Sequence, residues 1–197
     1  MTDGFFFWYR QAWGQGAPAS LFHSLERSGI RLANPATGRV TAITNGPDSW
    51  GDQVPVSPQQ LAQAAELATD PEVNFQMWLD AQTDVFVRVR RLDGSAAAIE
   101  FGLDGLGAAQ ESVIRAIAQA IRQTWNDCLG LVVDRSGDTE ETDWDAVVLQ
   151  GEPDIVRMPD TLAVRPETAA RIAQLAGAGG RSVPPLVVYG NATDLLV

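Results

Sequence analysis

The sequence predicts an α+β fold, a mainly antiparallel sheet with helices packed on it. Three observations carry that expectation. Residues 73–103 hold three strand-like runs in succession, the last two joined by Asp93-Gly94, a dipeptide that favours tight hairpins. A long segment with apolar residues at helical spacing follows at 108–127. No internal repeat or low-complexity linker divides the chain, whose Gly and Pro clusters are no longer than ordinary connections. Residues 1–197 therefore read as a single α+β domain.

The first element is the aromatic run "GFFFWYR", the composition of a buried strand. "ASLFHSLERSG" places Leu21, Phe22 and Leu25 on one helical side, with Gly29 positioned to stop the helix. In "IRLANPATGRVTAI" two short strands flank a turn, because Pro35 presets its own φ and Gly38 accepts positive φ. The turn-rich "TNGPDSWGDQVPV" reads as a loop. It leads into "SPQQ", where Ser57 caps, Pro58 suits the first helical position and Gln60 completes a capping box. The helix so opened, "PQQLAQAAELATD", stops before Pro71.

A two-residue turn at Asp93 and Gly94 would put Phe86, Arg88, Arg90, Ala97, Ile99 and Phe101 on one face of the next hairpin. Val85, Val87, Val89, Ala96, Ala98 and Glu100 would then share the other. In the following helix, Ile114, Ile117, Ala118, Ile121 and Trp125 form an apolar stripe that should pack across the hairpin, with Glu111, Arg115, Gln119, Arg122 and Gln123 mostly opposite. "CLGLVVD" is a buried strand, and "WDAVVLQG" reads equally as strand or helix. "RPETAARIAQLAGAGG" predicts a helix from Pro166 to a stop at Gly177, with Ile172 and Leu175 on one side. The tail "VPPLVVYGNATDLLV" suits an edge strand, since proline cannot donate to a central ladder.

Composition excludes several functions. All 14 basic residues are arginine, which rules out Schiff-base, P-loop and other lysine chemistry. A net charge of -11 repels nucleic-acid backbones and anionic membranes and favours cationic partners. "MTDGFFFWYRQAWG" lacks the pattern of a signal peptide, and no window is apolar for long enough to span a bilayer. The single Cys128 cannot form an internal disulfide, so the expected setting is the reducing cytoplasm.

Catalytic and cofactor motifs are weak. "FGLDGLG" lies between a strand and a helix, but its glycine spacing is not that of a dinucleotide loop and Asp104 would repel phosphate. Its glycines shape a turn. His23, the only histidine, sits on the polar side of its helix, and no G-x-S-x-G motif supplies a nucleophile. Cys128 follows a helix C-terminus among apolar neighbours, a setting that disfavours a thiolate. No cofactor and no metal site is expected.

One stretch stands apart. "DRSGDTEETDWD" (134–145) packs six carboxylates and one arginine into twelve positions, without the spacing of a calcium loop. Asp138 with Glu141 fits a capping box, so a short helix opened by solvated acids explains part of it. Asp138, Glu140, Glu141, Asp143, Trp144 and Asp145 together also have the composition of a recognition patch: a ring for contact area, and acids to steer an arginine- or lysine-rich partner.

A short, strongly acidic α+β chain without signal peptide, catalytic motif or cofactor motif resembles the immunity proteins that bacteria make against their own polymorphic or contact-delivered toxins. The resemblance lies in composition and architecture; it carries no residue motif, so no functional residue transfers. It implies a protein without chemistry of its own that binds a basic toxin and blocks its active site. The first expectation is accordingly a non-catalytic acidic binding module. A carboxylate-based or metal-assisted enzyme, with acids such as Asp104 and Asp134 converging, is the alternative from another class. An assembly protein pairing through its apolar tail or a strand edge is the third.

Overall fold

The computed structural model describes residues 4–44, 51–66, 72–152 and 155–190. Within them runs a ten-stranded sheet. Its strands are β1 Phe5–Arg10, β2 Val40–Ile43, β3 Gln53–Val56, β4 Glu72–Trp78, β5 Asp84–Arg91, β6 Ala97–Gly102, β7 Cys128–Asp134, β8 Thr161–Val164, β9 Arg181–Val183 and β10 Leu186–Gly190. They lie in the order β3-β2-β4-β5-β6-β1-β7-β8-β10-β9, and the neighbouring pairs run antiparallel. The expected α+β class is what forms. No helix among the described residues is long and apolar enough to cross a membrane.

Three helices, α1 Ala17–Arg27, α2 Pro58–Glu66 and α3 Gln110–Arg122, put their apolar sides into one core with the sheet. The alternation of strand side chains decides what enters it. Phe6 and Trp8 of β1, Phe75 and Met77 of β4, and Leu131 and Val133 of β7 point into this core. α3 adds Val113, Ile114, Ile117 and Ile121, each 0% exposed. Burial of one such side chain stabilises by about 1.5–3 kcal/mol, so this face supplies most of the hydrophobic driving force. The capping box at α2 forms as its sequence requires: Ser57 N–H donates to Gln60 Oε1 at 2.9 Å, and Gln60 N–H donates to Ser57 Oγ at 3.1 Å.

The β5-β6 hairpin corrects the sequence reading. Leu92 N–H donates to Ala96 O at 3.0 Å, enclosing a loop of Asp93, Gly94 and Ser95 rather than two residues. Arg90 therefore pairs with Ala98 and Val89 with Ile99. That one-residue shift sends every side chain of β6 to the other face. Val85, Val87 and Val89 now share the helix-covered core with Ala97, Ile99 and Phe101, whereas the opposite face receives Phe86, Arg88, Arg90, Ala98 and Glu100.

Further differences lie in the connections. "IRL" forms only an isolated bridge, Arg31 with Trp78, instead of a strand. The segment read as a loop after Ile43 contains β3, while residues 45–50 lie outside the described ones. The stop before Pro71 and the tail 191–197 also lie outside the described residues. "WDAVVLQG" becomes a π-helical turn, Ala146–Gln150. The single helix expected from Pro166 to Gly177 is instead α4 Pro166–Ala169 followed by a 3₁₀ turn at Ala173–Leu175, because Ile172 turns extended to reach the core. β10 is an inner strand; β9 forms the edge, and Pro184 and Pro185 occupy the turn between them.

The second sheet face carries its own core. Phe5, Tyr9, Val132, Leu162, Val164 and Tyr189 meet Trp144, Val147 and Val148 of the overlying 135–152 segment. Gly130 permits this contact, since a Cβ there would lie 2.6 Å from Val148 Cγ1 and 2.7 Å from Ala163 O. Only the half of the face formed by β1, β7, β8 and β10 is covered in this way. Over β5 and β6 the side chains of Phe86, Arg88 and Glu100 remain partly exposed.

Candidate functional site

The acidic segment runs along the boundary between the covered and open halves of that second face. Its conformation starts from Asp134, whose carboxylate organises the turn that follows β7. Oδ1 accepts from the N–H groups of Ser136 (3.0 Å) and Gly137 (2.8 Å), and Oδ2 accepts from the N–H (2.7 Å) and hydroxyl (2.6 Å) of Thr139. Burial works to raise the Asp134 pKa, but the Thr139 hydroxyl and the backbone N–H groups of Thr139, Ser136 and Gly137 outweigh it and hold the group below the ordinary carboxylate range. A carboxylate spent in this way is a structural fastener.

Two further anchors hold the segment. Trp144 is 2% exposed in the second core, and its indole N–H donates to Thr139 O at 3.2 Å. Asp145 reaches over the sheet to Arg90 of β5 in a two-pronged pair, Nη1 to Oδ2 at 2.6 Å and Nη2 to Oδ1 at 2.9 Å. Its Oδ1 also accepts from the Tyr9 hydroxyl at 2.8 Å. Burial raises the Asp145 pKa, yet the hydrogen bonds from Arg90 and Tyr9 bring it below the usual value. Tyr9, fully buried beside that carboxylate, is pushed well upward, first by burial and then by Asp145.

The six residues expected to meet a partner therefore divide. Trp144 is core and presents no ring to solvent, and Asp145 is committed to Arg90 and Tyr9. Asp143 is exposed and caps the π-helical turn through Oδ1, which accepts from Ala146 N–H at 3.0 Å. Asp138 opens no helix; it is exposed and pairs with Arg157 at 2.9 Å. Glu140 and Glu141 are exposed and take part in none of the ion pairs formed among the described residues. The structure thus brings four acids of the segment to the surface of one turn and uses its other two, Asp134 and Asp145, to hold that turn in place.

Beside the turn, on the open half of the face, lies a cleft of about 370 Å³. Phe5, Phe7 and Phe86 line it, with Gly102 among them; Phe5 and Phe7 stack at 4.6 Å between centroids. Its polar lining is Arg88, Glu100, Asp104 and Glu140. The Arg88 guanidinium lies 5.5 Å from the Phe86 ring centroid and bridges to Glu100 at 3.3 Å and Glu72 at 3.6 Å. Burial pushes the Glu100 pKa upward, ahead of the opposing pull of Arg88 and Arg90. Sequence reasoning missed this cleft because the hairpin register placed Arg88 and Glu100 on opposite faces. The signal was present: matching the Val85-Val87-Val89 row to Ile99 and Phe101 demands a three-residue loop.

The features considered for catalysis do not assemble. Asp104 lines the cleft, whereas Asp134 is 2% exposed with both oxygens engaged. His23 is exposed on α1, and the hydroxyl of its neighbour Ser24 donates to Gln123 Oε1 at 3.2 Å. Cys128 is fully buried, and its thiol is pushed up to about 12 by burial. Among the described residues no three His, Cys, Asp or Glu side chains are disposed to hold a metal ion.

No protein-family model matches the sequence, and no curated protein matches it. Among solved structures, a chain from the crystal structure of the toxic C-terminal tip of CdiA from Pseudomonas aeruginosa in complex with immune protein is similar. Identity is 14%, covering 70% of this chain and 91% of that chain, with a TM-score of 0.33. The likeness is distant.

Proposed function

We propose that this chain is a non-catalytic acidic binding module that grips a basic protein partner, of the immunity type that binds and blocks a toxin. The observation that carries the reading is a fixed turn bearing unpaired charge. Glu140 and Glu141 stand exposed on a segment held by the Asp134 cage, the Trp144 anchor and the Asp145-Arg90-Tyr9 lock. A backbone fixed in advance loses little further conformational entropy when a partner arrives, and a net charge of -11 steers a cationic surface toward it. Asp138 and Asp143 extend the same exposed edge.

The test uses the immobilised chain with lysate of its native host, at low and at moderate salt, beside the double variant Glu140→Arg, Glu141→Arg. Neither residue serves the fold, so the variant keeps its circular dichroism and its melting curve. The proposal predicts a basic protein retained by the unaltered chain, released as salt rises, and not retained by the variant. Retention that ignores both salt and the double reversal would refute this turn as the binding surface.

A further inference from the structure

We infer that the cleft between β1, β5 and β6 is the seat for one arginine side chain of the protein partner. This rests on the reading of the acidic turn as a partner surface and goes beyond it by naming what enters beside it. Charge complementarity comes first. The charged side chains lining the cleft are one arginine, Arg88, and three carboxylates, Glu100, Asp104 and Glu140, and one against three leaves an excess of two negative charges. An incoming cation offsets that excess.

Shape and chemistry then select the cation. A volume of about 370 Å³ lies at the small end of the range for ligand pockets, roughly 300–1,000 Å³, so it suits a single long side chain better than a cofactor. Its lining combines the phenyl rings of Phe5, Phe7 and Phe86 with the carboxylates of Glu100, Asp104 and Glu140. A planar guanidinium stacks on such rings and forks two N–H groups toward a carboxylate, which a compact, strongly hydrated ammonium does less well. The chain already builds this arrangement once, with Arg88 over Phe86 and bridged to Glu100. A partner's guanidinium takes the matching position over Phe7, among the carboxylates of Glu100, Asp104 and Glu140 that share the cleft with that ring. Residues Glu140 and Glu141 then serve different ends: the first closes over the seated side chain, and the second meets the partner surface outside.

Three synthetic hexapeptides, identical except for one central arginine, lysine or citrulline, test this on the full chain by amide chemical-shift titration at low salt. Citrulline keeps the shape of arginine and removes its charge. Expected are saturable shifts at Phe7, Phe86, Glu100 and Gly102, tightest for arginine, several-fold weaker for lysine, and absent for citrulline. Glu100→Gln weakens the arginine peptide about tenfold, the loss of one charge-assisted hydrogen bond. Phe7→Leu, which keeps apolar volume but removes the ring, narrows the preference for arginine over lysine and stands in should Glu100→Gln fold poorly. Equal binding of arginine and citrulline, or no saturable shift in the cleft, overturns the inference. Shifts confined to Glu141 and Asp143 overturn it too but leave the acidic-turn reading standing, whereas that reading fails separately if the Glu140→Arg, Glu141→Arg variant keeps its partner.

Discussion

Replacing Asp145 by alanine probes what holds the acidic turn in place. Two losses follow from the geometry. The Tyr9 hydroxyl, in a residue 0% exposed, is left without its acceptor, and an unsatisfied buried hydroxyl costs about 1–3 kcal/mol. The two-pronged pair with Arg90 also goes. Because those side chains are 30% and 29% exposed, solvent screening limits that part to the order of 1 kcal/mol. The total is about 2–4 kcal/mol, against no more than about 0.5 kcal/mol for Glu141→Ala on the same turn. Urea unfolding followed by tryptophan fluorescence measures it, the six tryptophans giving ample signal, and an unchanged m-value shows that the unfolded state is not the cause. Tyr9→Phe alone costs about 1 kcal/mol, and the double variant falls short of the sum of the singles because both remove one hydrogen bond. A cost for Asp145→Ala below about 0.5 kcal/mol, or strict additivity with Tyr9→Phe, would refute the lock.

Gly130→Ala forces a methyl group against Val148 and Ala163 O and should lower stability by about 1–3 kcal/mol, seen as a reduced melting temperature; an unchanged melt would contradict the close packing of the π-helical turn. The pH dependence has two signs. Asp134 and Asp145 have depressed folded pKa values, so their stabilisation is complete above the unfolded value of about 3.9 and is lost as pH falls through the folded values. Glu100 is raised, so its contribution improves as pH falls through its folded pKa, above the ordinary value of about 4.3. Urea midpoints should rise slightly on acidification from neutral and then drop below about pH 4. Glu100→Gln removes the rise and keeps the drop, and a variant retaining both features would show that another group is responsible. Cys128, with its thiol at about 12, should resist alkylation at pH 8 in the native protein and react once urea unfolds it; rapid native labelling would contradict its burial.

How much of this was legible beforehand depended on the period of each signal. The stripe of α3 and the capping box at Ser57 are local rules with long or specific patterns; the box formed as read, and so did the stripe at Ile114, Ile117, Ala118 and Ile121, whereas α3 ends at Arg122 and leaves Trp125 in a following 3₁₀ turn, partly buried. The β5-β6 register was not local. It turned on one residue of loop length, and the apolar rows of the two strands held the information that the Asp93-Gly94 turn signal overrode. β8, "TLAV", escaped notice because all its residues are buried, leaving no alternation to see. In the helix expected after Pro166, packing won over propensity: Ile172 and Leu175 are 1% and 3% exposed, and reaching that core breaks the helix. At the acidic stretch, composition identified the segment but not the division of labour within it. Asp134 and Trp144 fasten the turn locally through Ser136, Gly137 and Thr139, Asp145 fastens it to Tyr9 and Arg90 on distant strands, and only the fold shows that Glu140 and Glu141 are left exposed outside the ion pairs of the described residues.

The central claim, that the acidic turn is where a basic partner docks, is tested most directly by zero-length carbodiimide cross-linking of the retained complex followed by peptide mapping. This sequence contains no lysine, so a carboxylate joined to a lysine amine reports contact with another protein. The account predicts links from Glu140 and Glu141, with Asp138 and Asp143 next, and their loss in the Glu140→Arg, Glu141→Arg variant. Links concentrated instead on the helix side, at Glu26 of α1 or Glu66 of α2, would contradict it and move the partner to the opposite face.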